Sequence, residues 1–471
     1  MIQTPTGAVA GFPLGGATRY LGIPYAQPPA GALRWQPPLP ATSWSGVLEA
    51  TAFGPSAPQL TGPFSGLVPG MTVGATSEDC LTLNVWSPDG ADGLPVMVWF
   101  HGGAFQIGGS SLPAYDGLLL ATEQRVVVVS VNYRLGALGW LPGVPGVTPN
   151  CGQLDQVLAL EWVRDNIGAF GGDPDCVTIF GESAGAGSVI HLMASCSGLF
   201  HRAIAQSPGA GQTLPPALAE EVSAALMSRI TLDAPVEAIL AAQSEVAAEL
   251  LPVVGSMPFH PSGEPVFGRT GGIPLLAGTT AHEMRLFVPP MDLDVNTLVG
   301  LLEPLLSAEA HRPLPKDAVR AVAEAYDGPT AMGDIATDVT MRLPVGELMD
   351  RHDGPVFAYS FTWESVGFGA CHAADLPFTF GSFDTDGWRE WVGGAPDELS
   401  RAMREAWASF ARDGVPAAKG LPAWPEYDTA RLTMQLGRTV GVVEDPLSEA
   451  RERCAPLARD RSAADVAVPP G

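Results

Sequence analysis

The stretch from Val177 to Ser188, VTIFGESAGAGS, restricts the fold of this chain more than any other. Four β-prone residues, Val177, Thr178, Ile179 and Phe180, run directly into Gly181-Glu182-Ser183-Ala184-Gly185, and the small residues that follow open a helix. Strand, tight turn and helix in immediate succession form the context of a nucleophile elbow, where a G-x-S-x-G pentapeptide holds a serine in a cramped backbone conformation. Glycine at 181 and 185 removes two Cβ atoms that would collide where the strand end meets the helix start. Ser183 Oγ is then exposed at the carboxyl end of a sheet, and the Ala184 N–H faces the place where an oxyanion would form. The same pentapeptide occurs in ordinary Gly/Ser loops, so its meaning depends on the rest of the chain.

The apolar pattern supplies the sheet. VMVWF (Val96 to Phe100) and VVVVSV (Val126 to Val131) are continuous apolar runs, as in strands covered on both faces of a parallel sheet. LTLNVW (Leu81 to Trp86) alternates apolar and polar residues, which predicts a half-exposed strand. HRAIAQS (His201 to Ser207), IPLLAGT (Ile273 to Thr279) and VFAYSFTW (Val356 to Trp363) read as further strands, with VFAYSFTW the last. QLDQVLALEWVRDNI places Leu154, Leu158 and Trp162 at helical spacing, predicting an amphipathic helix of about four turns. Residues 215 to 251 and 296 to 350 carry helical patterns, Ser400 to Arg412 reads as a closing helix, and the tail after Ala455 as a weakly ordered end. Residues 1 to 50 read as an irregular layer of short β-prone pieces, and 53 to 75 as a Gly/Pro/Ser-rich surface loop. This alternation predicts a doubly wound, mostly parallel α/β sheet in a single domain spanning 1–471, with helical insertions at about 209–260 and 288–350. Ligands bind such sheets at the carboxyl ends of the strands.

Composition excludes several partners. A formal charge of -25, from 50 acidic against 25 basic residues, opposes binding to nucleic acid or anionic membrane and favours neutral or cationic small molecules. With 46% hydrophobic residues there is ample material for a large buried sheet, yet no apolar run approaches the roughly 20 residues of a membrane span. The start, MIQTPTGAVAG, lacks the basic and apolar segments of a secretion signal. The six cysteines (Cys80, Cys151, Cys176, Cys196, Cys371, Cys454) are thinly spread without a C-x-x-C pair, suggesting neither a zinc site nor a disulfide framework but free thiols in a reducing cytoplasm.

A serine hydroxyl becomes a nucleophile when a base takes its proton, and that base is oriented by a third group. Behind an elbow of this kind the acid and then the histidine follow the serine, each on a loop at the carboxyl end of a later strand. Of the late histidines, His352 precedes the strand at 356 to 363, His311 lies among helices, and His372 follows that strand in the loop GFGACHAADLPF. His372 is the best-placed base. Glu283 comes four residues after the strand ending at Thr279, whereas Asp292 and Asp294 lie further from it. A lone histidine in a Gly-rich loop is ordinarily solvated, and a lone glutamate is ordinarily a surface carboxylate. What distinguishes His372 and Glu283 is their coincidence with Ser183 in the required order. His101 and His282 read as structural, and Cys371 as a packed thiol, since no second histidine is placed to activate it.

These residues resemble the type B carboxylesterases, a family that includes cholinesterases and bacterial p-nitrobenzyl esterases. The likeness covers nearly the whole chain: GIPYAQPP, Ser77-Glu78-Asp79-Cys80-Leu81 leading into LNVW, HGGAF, Asn132-Tyr133-Arg134-Leu135-Gly136, DQVLALEWVRDNIGAFGGDPDCVTIFGESAGA and GTTAHEMRLF. The loop CHAADLPFTFG looks most like the bacterial members. The resemblance implies an α/β-hydrolase fold, with Ser183 as nucleophile, Glu283 as acid, His372 as base, and the backbone N–H groups of Gly103, Ala104 and Ala184 as oxyanion hole. Ser207 matches a serine that supports the acid and base, and Glu78 and Arg134 match residues that form a buried ion pair. The family's early disulfide would join Cys80 to a position near 57, where this chain has Ala57, and His282 and Met284 replace the more common Asp and Gly around the acid.

The implied activity is hydrolysis of small-molecule carboxylic esters through an acyl-enzyme, with no metal or organic cofactor. Phe105, Phe287 and Phe361 are candidates for the substrate pocket, together with the 53–75 loop. A carbamate or amide hydrolase would use the same triad, because the leaving group is chosen by pocket shape. Some relatives of this kind are non-catalytic binding proteins, a reading that an intact Ser/Glu/His set opposes.

Overall fold

Strands that are apolar on both faces need cover on both faces, and the sheet divides the core accordingly. Along Leu94–Phe100, Val96, Val98 and Phe100 belong to one buried cluster with Val127, Val129 and Ile179, while Met97 and Trp99 belong to another with Val128 and Phe180. Successive side chains of a strand point to opposite faces, so a single continuous apolar run builds two cores at once. The computed structural model describes residues 1–60, 68–209, 213–264, 266, 270–385 and 387–458. Among these, an 11-stranded sheet runs from Gly441–Glu444 through Leu432–Leu436, Val356–Phe361, Leu275–Thr280, Arg202–Gln206, Gly172–Glu182, Leu94–Phe100, Val127–Val131, Thr82–Pro88 and Ala17–Pro24 to Phe12–Leu14. Strands between Leu432–Leu436 and Val127–Val131 are parallel, and both ends of the sheet turn antiparallel. A separate 3-stranded sheet, Ile2–Gln3, Ala8–Ala10 and Val47–Glu49, gives the amino-terminal layer some of its order.

The helical insertions pack differently from the sheet's own helices. Val295–Glu309, Lys316–Ala323 and Ala331–Thr337 enclose a satellite core of Leu298, Leu302, Val319, Val322 and Ile335, which Cys454 and Leu457 of the helix Ser448–Ala458 seal. No helix of the described residues is long and apolar enough to cross a membrane.

Several sequence expectations need correction. The strand predicted at Leu81 to Trp86 spans Thr82–Pro88 and is buried throughout rather than half exposed. Its central polar residue, Asn84, is satisfied internally: Asn84 Oδ1 accepts the Gly22 N–H at 2.9 Å, and Nδ2 donates to the Ser110 and Ser130 hydroxyls at 3.1 and 3.0 Å. Polar alternation therefore marked a hydrogen-bonding face, not a wet one. Val356–Phe361 is not the last strand, because Leu432–Leu436 and Gly441–Glu444 form a hairpin at the sheet edge. Asp397–Asp413 likewise is not the closing helix, since Ser448–Ala458 follows it. Residues 61–67 of the 53–75 loop, and 459–471 of the tail, lie outside the described residues.

Glu78 and Arg134 do not pair with each other. Arg34 takes Glu78 through two parallel bonds of 2.6 and 2.7 Å, and Arg134 takes Asp155 in the same way at 2.8 and 2.7 Å. Asp155 is fully buried on the helix Cys151–Asn166. A desolvated carboxylate needs a fixed cation, and the planar guanidinium of Arg134 meets that need with both of its edge donors. All six cysteines are free thiols, Cys80 among them.

Candidate active site

The strand Gly172–Glu182 delivers Ser183 in a strained conformation. Ser183 has φ 57 and ψ -126, and the helix Ala184–Ser195 starts at the next residue. A Cβ on Gly181 would stand 2.4 Å from the Gly185 carbonyl carbon, and one on Gly185 only 2.0 Å from the Phe100 carbonyl oxygen. Neither position accepts a side chain, as the elbow requires. The Ser183 N–H donates to the Gln206 carbonyl at 2.9 Å, and its own carbonyl accepts the Gly187 N–H at 2.9 Å. These bonds tie the turn to the neighbouring strand and the helix, so the strain is over-determined by its surroundings. Below it, the rings of Trp99 and Phe180 pack with centroids 4.8 Å apart.

The loop after Leu94–Phe100 leans on that elbow. A Cβ on Gly102 would stand 3.1 Å from Ser183 Cβ. Gly103, Ala104 and Phe105 all have positive φ, at 115, 54 and 58. Gly103 is required by contact as well as by conformation, since a Cβ there would lie 2.1 Å from the Ile107 carbonyl oxygen. The N–H groups of Gly103, Ala104 and Ala184, expected as the oxyanion hole, are not taken up by any other described residue. His101 holds the start of this loop. Its Nδ1–H donates to the Gly102 carbonyl at 2.8 Å, its ring stacks on Tyr133 at 4.5 Å, and its own carbonyl accepts the Tyr133 hydroxyl at 2.6 Å. Burial pushes its pKa down to about 4, so the ring is a neutral strut.

Glu283 and His372 meet above the next two strands. Glu283 opens the turn Glu283–Leu286 after Leu275–Thr280, and His372 lies in the loop after Val356–Phe361. His372 Nδ1–H donates to Glu283 Oε2 at 2.6 Å. The other carboxylate oxygen accepts the Thr280 N–H at 2.7 Å and the Ser207 hydroxyl at 2.5 Å, which leaves Glu283 fully buried with both oxygens engaged. Ser207 is thus bonded to Glu283. It too is held at positive φ, 50, with its N–H on the Gly278 carbonyl at 2.8 Å.

Two further carboxylates surround the imidazole, and sequence reasoning missed both. Glu182 Oε1 lies 3.1 Å from His372 Nε2, as an ion-pair contact without hydrogen-bond alignment. Asp375 is fully buried, and its Oδ2 accepts from Gln206 Nε2 and the Tyr359 hydroxyl, each at 2.9 Å. Burial works against the His372 cation, but Glu182 and Glu283 outweigh it and raise its pKa to about 9. Burial also pushes the Glu182 carboxyl up to about 8, against the pull of His372, and the Asp375 carboxyl up to about 6. The common cause is several carboxylates sharing one desolvated space with one imidazole, which favours an extra proton in the cluster. A signal was present for Glu182: it is the one acid in the buried run 177–182 that leads into Ser183.

The aromatic candidates separate. The Phe287 ring lies 5.6 Å from the His372 ring and is partly exposed. Phe105 and Phe361 have no accessible surface: Phe105 packs edge-on against Trp140 at 5.1 Å, and Phe361 against Phe378 at 4.9 Å. Both stand behind the site as packing and do not form an accessible wall. His352 bonds to Thr270 and to the Ile273 carbonyl before Leu275–Thr280, at the opposite end of the sheet. Among the described residues no group of three or more His, Cys, Asp or Glu is placed to hold a metal ion.

A large, mostly parallel sheet, helices on both faces and a strand–serine–helix elbow at its carboxyl edge define the α/β-hydrolase fold. A family model described as the carboxylesterase family matches residues 1–454. The para-nitrobenzyl esterase of Bacillus subtilis (strain 168) is 36% identical over 97% of this chain and 98% of that protein. The phenmedipham hydrolase of Pseudarthrobacter oxydans is 34% identical over 91% and 94%. A solved structure of a PNB esterase superposes with a TM-score of 0.85 at 35% identity, covering 96% of this chain and 99% of that one. The chain belongs to the type B carboxylesterase family and is a carboxylic ester hydrolase.

Proposed function

We propose that Ser183, His372 and Glu283 form the catalytic triad of an esterase that works through an acyl-enzyme. The single observation that carries this reading is the 2.6 Å bond from His372 Nδ1–H to a fully buried Glu283. In the neutral imidazole it fixes the tautomer that leaves the lone pair on Nε2. Nε2 takes the Ser183 proton as Oγ bonds to the ester carbonyl carbon. The N–H groups of Gly103, Ala104 and Ala184 stabilise the oxyanion. The bond to the alcohol oxygen then breaks, and the alcohol leaves with the proton from Nε2. Water, deprotonated by the same nitrogen, attacks the acyl carbon, and the bond from that carbon to Oγ breaks as Nε2 returns the proton to Oγ, which releases the acid and restores the serine. Phe287 forms the aromatic wall beside the imidazole.

The test is release of p-nitrophenol from acetate, butyrate and octanoate esters, beside matched amide and carbamate substrates. It is run with and without a serine-directed organophosphate, followed by mass spectrometry of the inhibited protein. Inhibitable hydrolysis with the adduct on Ser183 is the expected result. Folded protein with neither turnover nor adduct overturns it.

Glu182→Gln separates electrostatics from geometry. The anion beside Nε2 stabilises imidazolium, the form that cannot accept the serine proton. Removing it lowers the His372 pKa from about 9, so the rise of kcat/KM with pH moves to lower pH by about one to three pH units. An unmoved pH profile of kcat/KM would mean that Glu182 does not set the charge on His372.

A further inference from the structure

The turn bearing Glu283 and the loop bearing His372 are joined through His282 and Ala370. The His282 N–H donates to the Ala370 carbonyl at 2.8 Å, and the Ala370 N–H donates back to His282 Nδ1 at 3.2 Å. One step along, the His372 N–H donates to the Glu283 carbonyl at 3.1 Å, and one step before, the Ala281 N–H donates to the Phe361 carbonyl at 2.9 Å. The imidazole lies flush on the loop: Gly369 has φ 68, and a Cβ there would stand 2.7 Å from His282 Nδ1. From the other side, Arg285 holds Asp334 through bonds of 3.0 and 3.2 Å, and the Met284 N–H donates to Thr337 Oγ1 at 2.9 Å. Beside the Glu283–His372 bond itself, the bond to Nδ1 is the side-chain contact of this ladder that spans the acid and base loops.

Burial, with Arg285 and Arg342, holds the His282 pKa below the ordinary imidazole range, against Asp334 and Glu364. The ring is therefore neutral, as an acceptor nitrogen must be.

We infer that His282 is a positioning residue: by accepting the Ala370 N–H on Nδ1 it sets the separation of Glu283 from His372, and so aims Nε2 at Ser183. The inference rests on the triad reading above. Displacement of reacting groups by about an ångström costs on the order of a hundredfold in rate, and the bond to the Ala370 N–H lies at the junction of the acid and base loops rather than at Phe287. The effect therefore belongs in kcat and not in KM.

Two substitutions isolate the acceptor. Asn Oδ1 stands two bonds from Cβ, as His Nδ1 does, so His282→Asn keeps an acceptor in place. His282→Leu keeps breadth and loses the acceptor. In p-nitrophenyl butyrate hydrolysis His282→Leu is expected to lower kcat about 10- to 100-fold, with KM within about twofold. The rate of organophosphate attachment to Ser183 should fall by the same factor. His282→Asn is expected to restore kcat to within about threefold of the unaltered enzyme. Wild-type kcat in folded His282→Leu overturns the inference, as does a folded His282→Asn no better than the leucine variant. Histidine-selective ¹⁵N NMR of the unaltered protein, with His282 identified by its loss in His282→Asn, gives a check independent of the leucine variant's folding. The Nε2–H tautomer is expected, and the Nδ1–H tautomer overturns the inference. Absence of both turnover and Ser183 adduct in the unaltered enzyme would instead remove the triad reading itself.

Discussion

Ser183→Ala is expected to lower kcat about 10⁴- to 10⁶-fold, with the fold intact. The substitution removes one oxygen and keeps the Cβ, so the backbone at φ 57 and ψ -126 bears the same steric cost as before. The bonds that hold the turn, from the Ser183 N–H to the Gln206 carbonyl and from the Gly187 N–H to the Ser183 carbonyl, are backbone bonds that the substitution leaves alone. Loss of turnover therefore reports the missing nucleophile and not a collapsed elbow. Residual activity would come from oxyanion stabilisation and proximity acting on water, which explains why the loss is large but finite. Hydrolysis of p-nitrophenyl butyrate, circular dichroism and a thermal melt decide the matter together. Turnover within tenfold of wild type on a folded variant would remove Ser183 from the mechanism.

Glu283→Gln is expected to lower kcat about 10³- to 10⁴-fold through the tautomer of His372. Glu283 accepts on both oxygens: Thr280 N–H and Ser207 hydroxyl on one, His372 Nδ1–H on the other. A glutamine that keeps its carbonyl oxygen toward Thr280 presents its NH₂ to Nδ1. The neutral imidazole must then carry its proton on Nε2, where it cannot receive one from Ser183. Turning the amide over sets its NH₂ against the Thr280 N–H, two donors facing each other in a buried site. Neither arrangement is good, and the first is the less costly. The loss should persist from pH 6 to 9, because a wrong tautomer is not repaired by pH. Glu182→Gln makes the same change of charge on the other side of the ring and should instead move the pH profile. A Glu283→Gln enzyme with near-wild-type kcat would place the orienting role elsewhere.

The elbow was legible because its sequence signals are consecutive in the chain. Strand propensity before Gly181, two glycines where a Cβ meets backbone, and small residues opening a helix are consecutive in the chain. The order of Ser183, Glu283 and His372, each after a strand, was legible for the same reason. The terminal hairpin was not. Leu432–Leu436 and Gly441–Glu444 are short, and pairing with Val356–Phe361 is what makes the first of them part of the sheet. The face of Thr82–Pro88 was misjudged because alternation records which residues are polar, not whether water or Ser130 satisfies them.

Residue order was thus enough to place the central strands, the strand–serine–helix turn and the family to which the chain belongs. Which charge meets which was decided in three dimensions. Arg34 with Glu78, Arg134 with Asp155, and His372 between Glu283 and Glu182 join residues far apart in the chain. Coulomb energy depends on separation and burial, and sequence spacing specifies neither once the chain crosses from one strand to another. The same holds for His282, whose neighbour Glu283 was visible in the sequence but whose partner, the Ala370 N–H, was brought to it only by the parallel pairing of Leu275–Thr280 with Val356–Phe361.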